Sequence, residues 1–234
     1  GAGKSLTGAA IIGLLEPPGR VAGGEILLEG QRIDNLGFDA MRPIRGRKIG
    51  AIFQDPLTSL NPLYTVGRQL IETIRTHLPV TESEARKRAI GLLQDTGIPA
   101  AEQRIDHFPH QFSGGMRQRV VIALALAAEP KLIVADEPTT ALDVSIQAQI
   151  IQLLKQVCKE RGAAVMLITH DMGVIAETCD RVAVMYAGRI AEMGPVHNVI
   201  HQAAHPYTAG LMASIPDMSE ERERLNQIDG AMPR

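Results

Sequence analysis

The chain has 234 residues, a formal net charge of -2, 45% apolar residues and 21% charged ones. That length allows one large domain or two small ones with a substantial core, while the slight acidic excess supplies no basic field for nucleic acid. No apolar stretch approaches the roughly 18 residues of a membrane span, no signal peptide is visible at the start, and the two cysteines, Cys158 and Cys179, lack metal-ligand spacing and are too few for a disulfide framework, which fits a reduced, cytosolic setting.

The chain opens on "GAGKS", residues 1–5. Residues 6–15 then read as a helix rich in Ala, Ile and Leu, stopped by Pro17 and Pro18. "GGEILLEGQRI" (23–33) predicts a hairpin turning at Glu29 and Gly30, and "KIGAIFQDP" (48–56) a short buried strand. From Val66 to about Gly97 the pattern is helical, with Ile90, Leu92 and Leu93 facing inward; Thr81 with Glu84 fits a capping box. Ser113 is a candidate N-cap for a helix running to about Ala128. Next come a strand over 131–137, a helix over 145–162, a strand over 164–171, a helix from Met172 to Cys179, and a strand over 181–188 with a turn at Gly188 and Arg189. Strands alternating with helices predict an α/β fold with a mostly parallel sheet covered on both faces and a small antiparallel part. The helical stretch interrupting that alternation reads as an inserted subdomain. The expected division is a discontinuous α/β core over 1–61 and 129–195, a helical subdomain over 62–128 and a C-terminal extension over 196–234. The first residue falls inside a motif and the last ten trail off, so the chain reads as a fragment of a longer protein, truncated at its N-terminus and cut at both ends.

Three pieces carry chemistry. "GAGKS" matches the last five positions of G-x-x-x-x-G-K-[ST], with Gly3, Lys4 and Ser5 in the diagnostic places. Glycines let backbone N–H groups turn toward phosphate oxygens, and the following helix adds its N-terminal dipole. Lys4 can reach terminal phosphates, and the Ser5 hydroxyl can sit on Mg²⁺. Asp136 and Glu137 end an apolar strand, at the sheet edge where doubly wound folds bind ligands. There Asp136 can hold Mg²⁺, and Glu137 can orient or deprotonate a water attacking a γ-phosphate; the plainer alternative is that the pair, followed by Pro138, only starts a helix or a loop. His170 and Gln54 also end apolar strands, His170 at the expected same edge. A histidine so placed can touch a γ-phosphate, or can simply be packed or solvated.

Taken in order, these residues resemble the ATP-binding subunit of an ABC transporter over nearly the whole chain. "GAGKS" resembles the phosphate loop, Gln54 the Q-loop glutamine, "FSGGMRQ" (112–118) the signature, "LIVADE" (132–137) the Walker B strand, "ALD" (141–143) the D-loop, and His170 the switch histidine. The resemblance implies a phosphate-loop NTPase core of the RecA-like type. It also implies ATP and Mg²⁺ as cofactors: Gly1, Ala2, Gly3, Lys4 and Ser5 hold phosphate, Ser5, Gln54 and Asp136 serve the metal, and Glu137, His170 and Gln54 serve catalysis. A head-to-tail dimer follows, in which Ser113, Gly114 and Gly115 complete the partner subunit's ATP site and Asp143 helps knit the subunits. On the same resemblance, the strand preceding the phosphate loop and the adenine-stacking aromatic lie outside this chain. The pattern departs at Met116, where the common signature has Gln, and at Leu6, where Ser or Thr often follows the loop serine.

"QDPLTSLNPLYTVG" (54–67), "ADEPTTALDVSIQAQI" (135–150) and "HPYTAGLMASIP" (205–216) are similar to the branch importing dipeptides, oligopeptides, glutathione or nickel. That implies permease partners, a second ATP-binding subunit, indirect work with a substrate-binding protein, no nucleic-acid partner, and a peripheral place on the cytoplasmic face of the inner membrane. The competing expectation is a soluble ABC-type ATPase acting on DNA or the ribosome. Such proteins usually carry coiled-coil insertions or basic arms, and no Lys/Arg block is present here.

Overall fold

Residues 2–139 and 142–213 are described by the computed structural model. In chain order the first elements are α1 (Lys4–Ile11), the short strands β1 (Leu27–Leu28) and β2 (Gln31–Arg32), α2 (Phe38–Met41), β3 (Ile49–Ile52) and α3 (Pro56–Ser59). A helical run follows: α4 (Val66–His77), α5 (Glu82–Asp95), α6 (Ala101–Arg104) and α7 (Gly114–Leu126). Then come β4 (Leu132–Asp136), α8 (Val144–Glu160), β5 (Ala164–Ile168), α9 (Met172–Thr178), β6 (Arg181–Tyr186), β7 (Arg189–Pro195), α10 (Val196–His201) and α11 (Pro206–Ala213). Contacts divide the described residues into a larger unit, Gly8–Ile168, and a smaller one made of residues 2–7 together with 169–213.

The larger unit is built on a parallel sheet ordered β3-β4-β5. Ile52 pairs with Ala135, Ala135 with Leu167, and Asp136 with Ile168, so the three strands reach their carboxyl ends nearly level. Alternation along β4 serves two cores at once. Ile133 and Ala135 join Ile52 and the residues of α4, α5, α7 and α8 in one cluster. Val134 points the other way, into a second cluster with Ile12, Ile33, Met41, Ile44, Ile49 and Ile168.

Helix α7 is buried nearly all round, through Val120, Val121, Ile122, Ala123, Ala125 and Leu126, which is why its sequence shows no polar face. Strand β3 approaches it so closely that a Cβ on Gly50 would lie 2.4 Å from the Ala125 carbonyl oxygen. Helix α4 buries Val66, Leu70 and Ile74 at four-residue spacing. Two of its first N–H groups, which an isolated helix leaves unsatisfied, donate to the Ile105 and His107 carbonyls at 2.7 and 2.9 Å.

Several boundaries differ from the sequence expectation for physical reasons. Helix α1 ends at Ile11, well before the proline pair. Gly13 adopts a φ of 68°, and the Leu14 N–H donates to the Ala9 carbonyl while the Gly13 N–H donates to that of Ala10, a Schellman closure that terminates the helix first. The helical stretch from Val66 is two helices, broken around Leu78–Thr81 where Pro79 denies a donor. Only half of the expected capping box is found. Thr81 accepts from the Glu84 N–H at 3.3 Å, but the Glu84 carboxylate binds Arg88 instead at 2.8 Å. Ala85 and Ala89, with Leu92 and Leu93, form the buried line of α5, and Ile90 is only partly buried beside it. The hairpin is present, with Glu29 and Gly30 at φ of 51° and 78°, the pair of positive values a tight two-residue turn requires.

The smaller unit is an antiparallel ribbon, β6 with β7, rather than a further strand of the parallel sheet. Its core joins Met172 and Ile175 of α9, Val182 and Val184 of β6, and Val199 of α10. The Glu192 carboxylate accepts from the Ala204 and His205 N–H groups at 2.9 and 3.1 Å. Those two bonds hold its carboxyl below the ordinary glutamate range and tie the approach to α11 onto β7.

Candidate functional site

Within the larger unit, the end of β4 brings two predicted residues into contact. The Gln54 side chain, two residues past β3, donates from Nε2 to Glu137 Oε2 at 3.2 Å. Glu137 has a φ of 44° although it is not glycine and precedes Pro138, a combination that costs backbone energy. One bond that fixes it is evident: its N–H donates to the Ile168 carbonyl at 2.8 Å, carrying the β4–β5 ladder one residue past Asp136. The carboxylate is thus placed by the ladder and by Gln54, and both it and Asp136 are only partly buried.

A second group forms where α7 and α8 begin. Ser113 caps α7, its hydroxyl accepting from the Met116 N–H at 3.3 Å. A Cβ on Gly115 would lie 3.1 Å from Ile146 Cγ2, and one on Gly114 3.7 Å from Leu142 Cδ2. The glycine pair therefore rests on the residues that flank Asp143. Asp143 is the N-cap of α8 by backbone position, yet its side chain makes no capping bond and is exposed, so the carboxylate is directed to solvent at a helix N-terminus.

The smaller unit holds the phosphate-loop residues and His170. Gly3 has a φ of 93°, a left-handed conformation that glycine adopts without penalty. Its carbonyl accepts both the Thr7 N–H and the Thr7 hydroxyl at 3.0 Å, which secures the first turn of α1. Lys4 is partly buried and Ser5 exposed. Gly1 lies outside the described residues, as do the Ala141 of the "ALD" segment and the end of "HPYTAGLMASIP". His170 is exposed and stands in a short turn: Thr169 Oγ1 accepts from the Asp171 N–H at 3.0 Å, and Asp171 Oδ1 accepts from the Val174 N–H at 3.1 Å. The sequence reading extended the strand through Asp171. The missed signal was an N-cap aspartate directly before an apolar helical run.

The donor chemistry of these residues suits the expected cofactors. In the larger unit Gln54 and Asp136 offer oxygen atoms, the ligand type magnesium prefers, and in the smaller unit the Ser5 hydroxyl offers another. Backbone N–H groups at the start of α1 offer phosphate the donors it needs.

Comparison with known proteins decides the family. A family model described as ABC transporter matches residues 1–140. The chain belongs to the ABC transporter family. A second model, the oligopeptide/dipeptide transporter C-terminal region, matches residues 191–234 and places this ABC cassette in the peptide branch of ATP-binding subunits. It is 53% identical over 235 residues to the oligopeptide transport ATP-binding protein OppD of Bacillus subtilis, covering all of this chain and 66% of that protein, just under two thirds. It is 47% identical to the dipeptide transport ATP-binding protein DppD of Escherichia coli, covering 71% of that relative. Among solved structures, the ATP-binding cassette MJ0796, captured as a dimer with ADP and phosphate, matches with a TM-score of 0.71 and 32% identity, over 83% of this chain and 81% of that one. The cassette cbiO1 of Clostridium perfringens matches with a TM-score of 0.74 and 32% identity, over 86% and 76% of the two chains. The α/β fold of this cassette, with its parallel core sheet, small antiparallel sheets and helical subdomain, is accordingly the RecA-like ABC ATPase fold.

Proposed function

We propose that this ABC cassette is the ATP-hydrolysing subunit of an importer for peptides or related small solutes. In this reading it pairs head to tail with a second ATP-binding subunit and drives permease partners from the cytoplasmic face of the membrane, serving a substrate-binding protein indirectly. Support for the solute class comes from the C-terminal family match and from the names of OppD and DppD. Support for pairing comes from the dimeric MJ0796 structure and from the exposed Asp143 beside the glycine pair. The working parts are a core over 1–61 and 129–195, a helical subdomain over 62–128 and an extension over 196–234.

The single observation that carries the hydrolytic reading is the Gln54–Glu137 hydrogen bond at the carboxyl end of β4. That bond orients the Glu137 carboxyl group at the strand end, where a general base would act. Glu137 takes the proton of the attacking water, and Gln54 positions Glu137 and reports the γ-phosphate to the permease side. Ala2, Gly3 and Lys4, with the Gly1 that precedes them, bind phosphate oxygens; His170 contacts the γ-phosphate. Ser5, Asp136 and Gln54 hold magnesium, which when bound supplies positive charge to the phosphate oxygens. Ser113, Gly114 and Gly115 of one subunit complete the site of its partner, where their backbone donors face phosphate.

Glu137→Gln keeps shape and removes the base. The variant is expected to lose about 10²–10⁴ of its turnover while binding ATP with unchanged affinity, measured by phosphate release and nucleotide titration on the assembled transporter. Turnover equal to that of the unaltered protein sinks the assignment of Glu137.

A further inference from the structure

We infer that the smaller unit carries a binding site for one borderline divalent transition-metal ion, held by His197 and His201. The two residues sit four apart on α10, in "VHNVIH", a spacing that stacks side chains on one helix face. Their rings already lie together, with centroids 4.7 Å apart and planes inclined at 54°. Both side chains are exposed, whereas Val199 between them is 3% exposed.

The support beneath them is firm. Val199 packs with Met172, Ile175, Val182 and Val184, the Val196 N–H donates to the Asp180 carbonyl at 3.1 Å, and the Gln202 N–H donates to that of Asn198 at 2.8 Å. The backbone that carries the two imidazoles is thus tied to the core before a ligand arrives, which leaves side-chain rotation as the adjustment for closing on a metal.

The chemistry selects the ion. Two neutral imidazoles favour copper, nickel and zinc, in the usual order with copper tightest, and offer nothing to magnesium or calcium, which prefer oxygen. Among the described residues no group of three or more His, Cys, Asp or Glu side chains forms a metal cage. The described residues thus offer the ion a two-nitrogen clamp, with room for water in the remaining positions. His205, four residues on in the chain, is engaged at Nδ1, which accepts from the Tyr207 N–H at 3.1 Å. None of this rests on the nucleotide reading, since neither histidine belongs to the proposed ATP site.

The test is a calorimetric titration of the full chain with NiCl₂ and then CuCl₂, without nucleotide, beside Cu²⁺ electron paramagnetic resonance. The expected result is one saturable ion per chain with two imidazole nitrogens in the copper spectrum. His197→Gln and His201→Gln should each weaken nickel binding by at least about tenfold, since altering even outer-shell partners of a metal costs 10–100-fold, and each should leave one nitrogen in the spectrum. His110→Gln, on another exposed histidine, should change neither readout. Circular dichroism without metal checks that both variants keep the fold. Nickel binding unchanged in His197→Gln and His201→Gln, or equally lost in His110→Gln, overturns the site.

Discussion

At the scale of single residues, two kinds of information separate. The positions of the candidate groups were legible, since Gly3-Lys4-Ser5, Asp136-Glu137 and His170 each lie at or beside a strand end or a helix start. The conformations that hold them were not. Nothing in "ADEP" announces a φ of 44° at Glu137, because that value is set by its bond to the Ile168 carbonyl on a neighbouring strand. Gly50 gives the same lesson for packing. Within "KIGAIF" it reads as an ordinary strand glycine, yet it is the point where β3 meets the α7 backbone, with Ala125 O 2.4 Å and Ile133 Cδ1 2.6 Å from a would-be Cβ. A backbone oxygen cannot swing aside as a flexible side chain can. Gly50→Ala is therefore expected to destabilise the chain by about 1–3 kcal/mol, read as a lower urea midpoint with an unchanged slope. An unchanged midpoint would show that α7 yields easily.

At the scale of elements, the hairpin β1–β2 shows how local signals and a tertiary tie cooperate. Its turn was legible from Glu29-Gly30, but its anchor is Asp34, which accepts from the Ile26 N–H at 2.8 Å and from Arg32 Nη2 at 2.9 Å. The Arg32 guanidinium, then the Ile26 N–H, lowers the Asp34 carboxyl from 3.8 to about 2. A depressed folded-state value means the ionised form is the one the fold favours, so its contribution is present above about 3.8 and fades as pH falls toward about 2. Protection of the hairpin amides, corrected for intrinsic exchange, should fall over that window in the unaltered chain. In Asp34→Asn it should start lower and stay level; parallel curves for the two proteins would exclude Asp34 as the anchor. Helix ends tell a similar story. The proline pair after α1 marked a boundary in the sequence, but Gly13 closed the helix earlier, since a left-handed residue can satisfy the last carbonyls and a proline cannot.

At the scale of the molecule, membership in the ABC transporter family makes a ligand-linked stability the direct test of nucleotide binding. A ligand that binds only the folded state stabilises it by about 2.7 kcal/mol at one hundred times its dissociation constant, roughly 5–11 °C in Tm for a chain of this size. Magnesium and ATP together should raise Tm by that order, and Lys4→Ala should abolish the rise while leaving the Tm without nucleotide unchanged. A rise that survives Lys4→Ala would remove Lys4 from the phosphate site.

The sequence by itself determined the α/β class, the strands β3, β4 and β5 and the helical run between β3 and β4, and it marked candidate residues for phosphate and metal. Each of these follows from local pattern: apolar runs, caps, glycines and the residue types at strand ends. Only the tertiary structure decided that β6 turns back on β7 in an antiparallel ribbon, that Gln54 meets Glu137, that the Ser113–Gly115 turn rests on Leu142 and Ile146, and that His197 and His201 stand clear of the core while Val199 enters it. Those outcomes depend on which distant surfaces exclude water together, and that is a property of the packed chain rather than of any window along it.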